Sequence, residues 1–410
     1  MTTSEIFVGL GLLLALAVGC QIAATKLRIP AIVVLLPVGF VAGTITDTIN
    51  PNQLFGASFT PMVSLAVAVI LFEGGLDLNI KELEGHSQRI VRRLILWGVP
   101  ITWAGAGVLA WFLLGLSSRA ALMLGAILIV SGPTVVVPLL ERARPGRRLT
   151  AILGWEGSTI DPIGAIIGAL VFQALTAGVG IRPGRELLMF AGHIGLGLLG
   201  GAAGTVMLWL LVDKLQVRGI LATEAIIATV VAVAAGCNAL RDDTGLIAAI
   251  TMGVAVANIP GISSPEDRPF FRTIVQLIVG LLFISISATV TPSSLSDVLA
   301  PTAALIACLI VVIRPVVATV ATAGTDLTRH ERVYIGLVDP RGIVAASRAA
   351  TFAAPLVALG TGGADDLLPA TFLVIVGTVT IYGLAAAPAA RWLGLGPAAP
   401  EPRPAPEPPA

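Results

Sequence analysis

Thirteen apolar segments constrain the fold of this chain more than any other feature. Most reach the roughly 20 residues that a helix needs to cross the hydrocarbon core of a bilayer. The composition agrees, because 56% of the 410 residues are hydrophobic and only 12% are charged, too few charges for a water-soluble chain of this length. The spans, numbered 1 to 13 in chain order, are predicted at 5–25, 30–46, 60–76, 93–115, 119–141, 149–178, 187–212, 222–239, 244–258, 270–288, 296–321, 332–355 and 367–390.

The basic residues alternate from one loop to the next. Of the 25 Lys and Arg residues, 18 fall in alternate loops that start after span 1, and four fall in the other set of loops. Basic loops of membrane proteins face the cytoplasm, so we expect a multi-pass protein of the cell (inner) membrane with its N-terminus outside and its C-terminus inside. The net charge of +1 gives no field that would attract nucleic acid.

Motifs of enzymes and of bound cofactors are missing from the sequence. It has no HExxH, GxSxG, Walker-type or paired CxxC motif, so we expect neither an enzyme nor a resident cofactor or fixed metal. Cys20, Cys237 and Cys308 lie in apolar runs and are expected to be small buried hydrophobes. The Pro- and Ala-rich stretch 391–410 is expected to be a disordered cytoplasmic tail.

Two spans are interrupted near their centres by helix-breaking residues. Span 5 contains Ser131-Gly132-Pro133, and span 12 contains Asp339-Pro340-Arg341-Gly342. If span 7 is a linker, these spans are the fifth members of two inverted six-helix halves. A matched pair of interrupted helices in inverted halves indicates the midplane binding site of a transporter.

Several charged residues fall inside the predicted spans, where each is costly unless it is paired or functional. Glu156 and Asp161 in span 6 lie about 140° apart around a helix, so they should have different tasks. We expect Arg341 to neutralise Glu156 as a structural pair, and Asp161, beside Pro162, to carry the proton and cation. The alternative for Asp161 is a satisfied carboxylate that braces the kink.

Two further charged residues are assigned supporting roles. Arg314, which lies deep in span 11, is expected either to neutralise a carboxylate in the bundle or to contact the carbonyl groups of a broken helix. Glu73 ends span 3 near a basic loop and is expected to brace the cytoplasmic end of the transport path.

The motifs together resemble the NhaP-like monovalent cation/proton antiporters. The resemblance rests on FEGGLDL at 72–78, the broken span 5, EGSTIDP at 156–162, IRP at 313–315 and PRGIVAA at 340–346. It implies thirteen helices in two inverted repeats, a homodimer in membrane lipid, and exchange of H⁺ for Na⁺, K⁺ or Li⁺ by an elevator movement. It also implies a scaffold of spans 1–3 and 8–10, a mobile core of spans 4–6 and 11–13, and essential roles for Asp161, Glu156 and Arg341.

The chain departs from that family pattern around the expected site. Gly132 stands where the family usually has an aspartate, Ile160 where it has an asparagine, and Gly157 where it has a serine, whereas Asp339 is an added acid. We therefore predict that the displaced carboxylate lies in the other broken helix. The predicted cation ligands are Asp161 and Asp339, assisted by Ser131, Thr134 and Ser158. The alternative is that Asp339 only pairs with Arg341 or Arg348.

The sequence thus predicts a secondary antiporter that exchanges protons for Na⁺ or K⁺. The alternatives are a cation channel, a cation-coupled symporter or an organic-anion transporter on the same fold. Loss of the usual carboxylate in span 5 leaves the choice between sodium and potassium open, since hard oxygen ligands suit both ions.

Overall fold

The computed structural model describes residues 2–27, 29–83, 86–176, 183–259 and 268–396, and these residues form a helical bundle. Residues 397–410 of the predicted tail lie outside this part of the chain. The α-helices, in chain order, are α1 Thr3–Leu27, α2 Ala31–Ile45, α3 Pro51–Leu54, α4 Phe59–Leu76, α5 His86–Leu113, α6 Ser118–Ile127, α7 Pro133–Ala143, α8 Arg147–Thr176, α9 Pro183–Trp209, α10 Ile220–Leu240, α11 Thr244–Asn258, α12 Arg268–Ser287, α13 Pro292–Ser296, α14 Leu299–Cys308, α15 Arg314–Ala321, α16 Arg329–Gly336, α17 Ile343–Ala358 and α18 Leu367–Trp392.

Each of the thirteen predicted spans has a helical counterpart. Nine helices in the described part of the chain are long and apolar enough to cross a membrane, and four shorter apolar helices complete the set. Spans 5 and 12 are each divided between two shorter helices. The prediction of an all-helical, multi-pass membrane protein is therefore confirmed.

The two predicted breaks are present, and each is wider than its sequence motif. Span 5 is interrupted between α6 and α7, and span 12 between α16 and α17. Gly132 and Gly342 adopt extended backbone just before α7 and α17, and Pro133 is the first residue of α7. Proline has no N–H to donate and favours the first helical turn. The backbone groups freed at the breaks must therefore be satisfied inside the protein.

Span 11 contains a distortion that the sequence analysis did not predict. A π-helical turn at Leu309–Ile313 separates α14 from α15, and Arg314 and Pro315 follow it immediately. Because proline cannot donate a hydrogen bond to the preceding turn, a local widening of this kind accommodates it. The π turn fixes the direction in which Arg314 leaves the helix.

Small residues allow close contact between helices of the proposed scaffold. A Cβ atom on Gly253 of α11 would lie 2.2 Å from the carbonyl oxygen of Phe72 in α4, and one on Gly75 would lie 2.9 Å from that of Ile250. Helix α4 also packs on α10 and α12. Close approach of backbones through glycine is a common means of packing membrane helices.

A second group of helices surrounds the broken segments. Helix α5 packs on α6, α8 and α15, while α18 packs on α7, α14 and α17. These helices belong to the predicted mobile core, and the packing agrees with that grouping. The division into scaffold and core stays a prediction.

Candidate functional site

Asp161 occupies the middle of the membrane-spanning helix α8. It stands 14 residues after the first residue of α8 and 15 before the last, which places it about 20 Å from either end. Its side chain is 2% exposed, and its Oδ1 atom has no hydrogen-bond partner among the described residues. A buried carboxylate oxygen left in this state is costly unless it is protonated or binds a cation.

Two further oxygen atoms lie on the same helix one turn before Asp161. Pro162 has no N–H, so the carbonyl of Ser158, four residues earlier, loses its intrahelical donor. The Ser158 hydroxyl is fully buried and has no hydrogen-bond partner in the described structure. Residues three apart share a helix face, so Ser158 and Asp161 present hard oxygen atoms toward one side of α8.

Glu156 is held by Arg314, not by Arg341. Arg314 donates from Nη1 to Oε1 of Glu156 at 2.5 Å and from Nη2 to Oε2 at 2.9 Å, and its Nε donates to the carbonyl of Ile335 at 2.9 Å. Both side chains are about 4% exposed. The arginine therefore satisfies both carboxylate oxygens and one carbonyl next to the α16–α17 break.

The predicted Glu156–Arg341 pair was accordingly wrong. Arg341 instead donates from Nη2 to Oδ2 of Asp339 at 2.9 Å and from Nη1 to the carbonyl of Ile129 at 3.1 Å. The break between α16 and α17 turns this guanidinium toward the other break, between α6 and α7. Arg341 thus joins the two broken helices, while the π turn in span 11 directs Arg314 to Glu156.

The remaining predicted ligands differ in what the structure shows of them. Asp339, the added acid, is 9% exposed and lies in the ion pair with Arg341, as the alternative for this residue predicted. Ser131 is buried in the α6–α7 break. The side chain of Thr134, at the start of α7, lies outside the described residues. Within the described part of the chain, Ser158 and Asp161 thus carry buried oxygen atoms without a hydrogen-bond partner, and the ligand role of Asp339 stays a prediction.

A further buried ion pair was not predicted from the sequence. Arg348 of α17 donates from Nη2 to Oδ1 of Asp243, in the turn before α11, and it also interacts electrostatically with Asp161. A pair of Arg348 with Asp339 was one alternative expected from the sequence. An arginine inside the membrane needs a carboxylate partner. A search for such a partner of Arg348 that included the turn Arg241-Asp242-Asp243 would have found Asp243.

A cavity of about 340 Å³ opens at one end of the bundle. Its wall includes Glu73 of α4, Asp77 directly after α4, Glu141 of α7 and Arg272 of α12, and it reaches Val135 in the first turn of α7. Glu73 was predicted to brace this end, and its Oε1 atom lies 3.8 Å from Nε of Arg272. The cavity wall carries three carboxylates and two arginines, Arg142 and Arg272, and it leads toward the broken helix. The carboxylates outnumber the arginines, which suits the approach of a cation.

Comparison with known proteins places this geometry in a family. Residues 12–392 match the model of the family described as "Sodium/hydrogen exchanger, transmembrane". The chain belongs to this sodium/hydrogen exchanger family. Both broken helices and the Asp161 region lie within the matched residues.

Curated relatives place the chain in the NhaP-like branch of the sodium/hydrogen exchangers. It is 26% identical over 399 residues to the K(+)/H(+) antiporter NhaP2 of Shewanella baltica (strain OS223), with 93% of this chain and 65% of that protein covered. It is 23% identical over 350 residues to the Probable Na(+)/H(+) antiporter 2 of Methanocaldococcus jannaschii, with 80% and 79% covered. The chain therefore spans 65% of the length of the NhaP2 relative.

A solved structure shares the fold. The sodium proton antiporter MjNhaP1 from Methanocaldococcus jannaschii, determined at pH 8, superposes with a TM-score of 0.82 at 21% sequence identity, covering 96% of this chain and 100% of that one. This likeness confirms the predicted fold class, including the two inverted repeats with broken crossing helices.

Proposed function

We propose that this member of the sodium/hydrogen exchanger family exchanges protons for a monovalent alkali cation, Na⁺ or K⁺, across the cell membrane. The observation that carries the proposal is the buried Asp161 at mid-helix, whose Oδ1 has no hydrogen-bond partner in the described structure. A carboxylate in this position is stable when a proton or a cation neutralises it. The two ligands compete for one site, and their competition is the basis of antiport.

The surrounding charges support an exchange of one proton for one cation. Glu156 is neutralised by Arg314 and Asp339 by Arg341, so neither carboxylate needs an added ion. Asp161 then carries the single variable charge of the site. Protonated or cation-bound, the site is neutral and crosses the hydrocarbon at low cost, whereas the empty anionic site does not.

The cation ligands proposed are the carboxylate of Asp161, the Ser158 hydroxyl and the Ser158 carbonyl freed by Pro162. One relative is named as a K⁺/H⁺ antiporter and another as a probable Na⁺/H⁺ antiporter. This chain has Gly132 at the position where the resemblance implies an aspartate, and a carboxylate there would favour dehydration of the smaller ion, Na⁺. Oxygen ligands of this kind accept both Na⁺ and K⁺.

Movement of the core against the scaffold accounts for access from both sides. The helices around α5, α8 and α15 pack with one another, as do α4, α10 and α11, so the two groups can shift as units. This elevator movement, a homodimer formed through the scaffold, and an orientation with the N-terminus outside complete the proposal.

The test is exchange in proteoliposomes with a pH-sensitive dye. The protein should dissipate a preformed pH gradient when Na⁺ or K⁺ is added, and Asp161→Asn should abolish the response while retaining its elution profile in detergent. Asp365→Asn removes an exposed carboxylate from the loop before α18 and should exchange at the wild-type rate. Exchange by Asp161→Asn would overturn the proposal, and conductance without proton movement would indicate a channel.

A further inference from the structure

We propose that the ion pair between Arg348 and Asp243 is a latch that closes the path to Asp161 at the end of the molecule opposite the cavity. This inference rests on the proposed antiport. It assigns Arg348 and Asp243 a gating task, in addition to the binding residues described above.

The pair lies at the far end of α11 from the cavity. At the last residue of α11, the Asn258 side chain donates to the carbonyl of Leu78 at 2.8 Å and accepts from the backbone N–H of Ile80 at 2.9 Å. Leu78 follows Asp77, which lines the cavity. Asp243 directly precedes the first residue of this 15-residue helix, so about 20 Å of helix separates it from the cavity end.

The latch joins helices that belong to different groups. Asp243 lies in the turn between α10 and α11, two helices of the proposed scaffold. Arg348 lies in α17, a helix of the proposed mobile core that packs with α8 and α18 and also contacts α4 and α12. The side chains are only 6% and 14% exposed. Displacement of the core against the scaffold therefore requires this contact to separate.

Two aromatic rings pack next to the ion pair. The guanidinium of Arg348 lies 5.8 Å from the ring centre of Phe352, within the range of a cation–π contact. Phe352 in turn stacks on Phe172 of α8, with ring centres 4.6 Å apart. Arg348 also interacts electrostatically with Asp161, which links the latch to the carrier.

Ion pairs at the cavity end have a different character. Nη2 of Arg272 lies 3.5 Å from Oδ1 of Asp77 and 3.3 Å from Oε1 of Glu141, and the Arg272 side chain is 47% exposed. Exposed pairs at such distances contribute little to stability. The cavity end is thus bridged loosely through water-exposed groups, whereas the opposite end is bridged by a buried contact.

The buried contact is built so that it can open. Arg348 Nε and Asp243 Oδ2 have no hydrogen-bond partner among the described residues, so the pair is only partly satisfied. A fully satisfied buried pair, such as Glu156–Arg314, is far more costly to separate. The Glu156–Arg314 pair is therefore suited to a permanent brace, and the Asp243–Arg348 pair to a contact that opens and closes.

The experiment locks the latch covalently. Cys20, Cys237 and Cys308 are replaced by alanine, and Asp243→Cys with Arg348→Cys is then bridged by a homobifunctional, membrane-permeant methanethiosulfonate. Cross-linking should reduce exchange to the level of protein-free vesicles, and a reducing agent should restore it. Mass spectrometry of the joined peptides confirms the cross-link.

A matched control uses a second arginine–aspartate pair that lies within the core. Arg148 of α8 donates to both carboxylate oxygens of Asp326, at 2.7 and 2.8 Å, and this bond holds the pKa of Asp326 below its ordinary value. Cysteines at these two positions, bridged by the same reagent, should leave exchange unchanged, because both residues move together.

The outcomes separate the latch from the proposed function. Absence of exchange in the cysteine-free parent overturns the antiport proposal. An active parent whose Asp243–Arg348 cross-link leaves the rate unchanged overturns the latch. If the double-cysteine variant is inactive before bridging, a charge-exchanged variant replaces it. Arg348→Asp alone should lose activity, and Asp243→Arg combined with Arg348→Asp should recover it. Failure of the double variant to recover activity contradicts the latch.

Discussion

Arg314 holds Glu156 with a set of hydrogen bonds that depends on the planar guanidinium group. Two parallel bonds reach the carboxylate and a third reaches the Ile335 carbonyl. An ammonium group is a point charge and cannot reproduce this fork. The pair is therefore a rigid brace between α8, α15 and α16, and the proposed mechanism assigns the variable charge to Asp161.

Replacement of Arg314 by lysine should consequently destabilise the protein. At least one buried acceptor would lose its donor, at a cost of about 1–3 kcal/mol, and the melting temperature in detergent should fall. Arg148→Lys changes the same chemistry at the exposed Asp326 pair, where the loss should be below about 1 kcal/mol. Equal melting temperatures for the two variants would contradict the buried brace.

Asp339 and Asp161 differ in their partners, and this difference predicts different mutants. Asp339 is neutralised by Arg341, so Asp339→Asn should keep the wild-type KM for Na⁺ or K⁺ while leaving Arg341 a buried charge without its carboxylate. The expected result is lower thermal stability by a few kcal/mol with unchanged apparent cation affinity. A markedly raised KM would instead support the ligand role predicted from the sequence.

At the scale of helices, contacts between glycine and backbone set the positions of the scaffold elements. Gly253 of α11 faces the Phe72 carbonyl so closely that a methyl group cannot be accommodated without moving a backbone. Overpacking of this kind costs about 1–3 kcal/mol. Gly253→Ala should therefore lower the melting temperature of the protein.

Gly236 provides the matched control for that substitution. It lies in α10, a neighbouring scaffold helix, with no atom within 4 Å of an added Cβ. Alanine favours helix over glycine by about 1 kcal/mol, so Gly236→Ala should maintain or raise the melting temperature. A Gly253→Ala variant as stable as Gly236→Ala would contradict the tight crossing of α4 and α11.

At the scale of the whole molecule, pairing of the buried charges leads to a prediction of stoichiometry. In the proposed mechanism, Glu156 and Asp339 are neutralised by arginines, so one proton and one monovalent cation exchange at Asp161 without net charge movement. Because no net charge moves in this exchange, the initial rate should be the same at 0 and −100 mV. Movement of one net charge through 100 mV would instead change the driving free energy by about 2.3 kcal/mol.

The measurement uses proteoliposomes in which the voltage is set by an ionophore for an ion other than the transported cation. A proton uncoupler serves as the control, because at 0 mV it must abolish the pH gradient. A several-fold dependence of the initial rate on voltage would show that net charge moves, and it would contradict a site with one variable carboxylate.

Much of the architecture follows from local chemistry in the sequence. Apolar segments of membrane-spanning length predict the helices. Ser131-Gly132-Pro133 and Asp339-Pro340-Arg341-Gly342 predict the two breaks, because each combines a proline, which cannot donate to the preceding turn, with a glycine, which weakens a helix. Asp161 is identifiable in the same way, since an acid beside a proline at the centre of a span is costly without a task.

The tertiary structure decided which charges neutralise one another. The sequence shows three arginines within spans 11 and 12 and several acids, but pairing depends on the direction in which each side chain leaves its helix. The π turn before Arg314 and the extended backbone around Arg341 set those directions, and neither follows from residue spacing. Partners 158 and 105 residues apart, as in Glu156–Arg314 and Asp243–Arg348, are therefore determined only by how the helices pack.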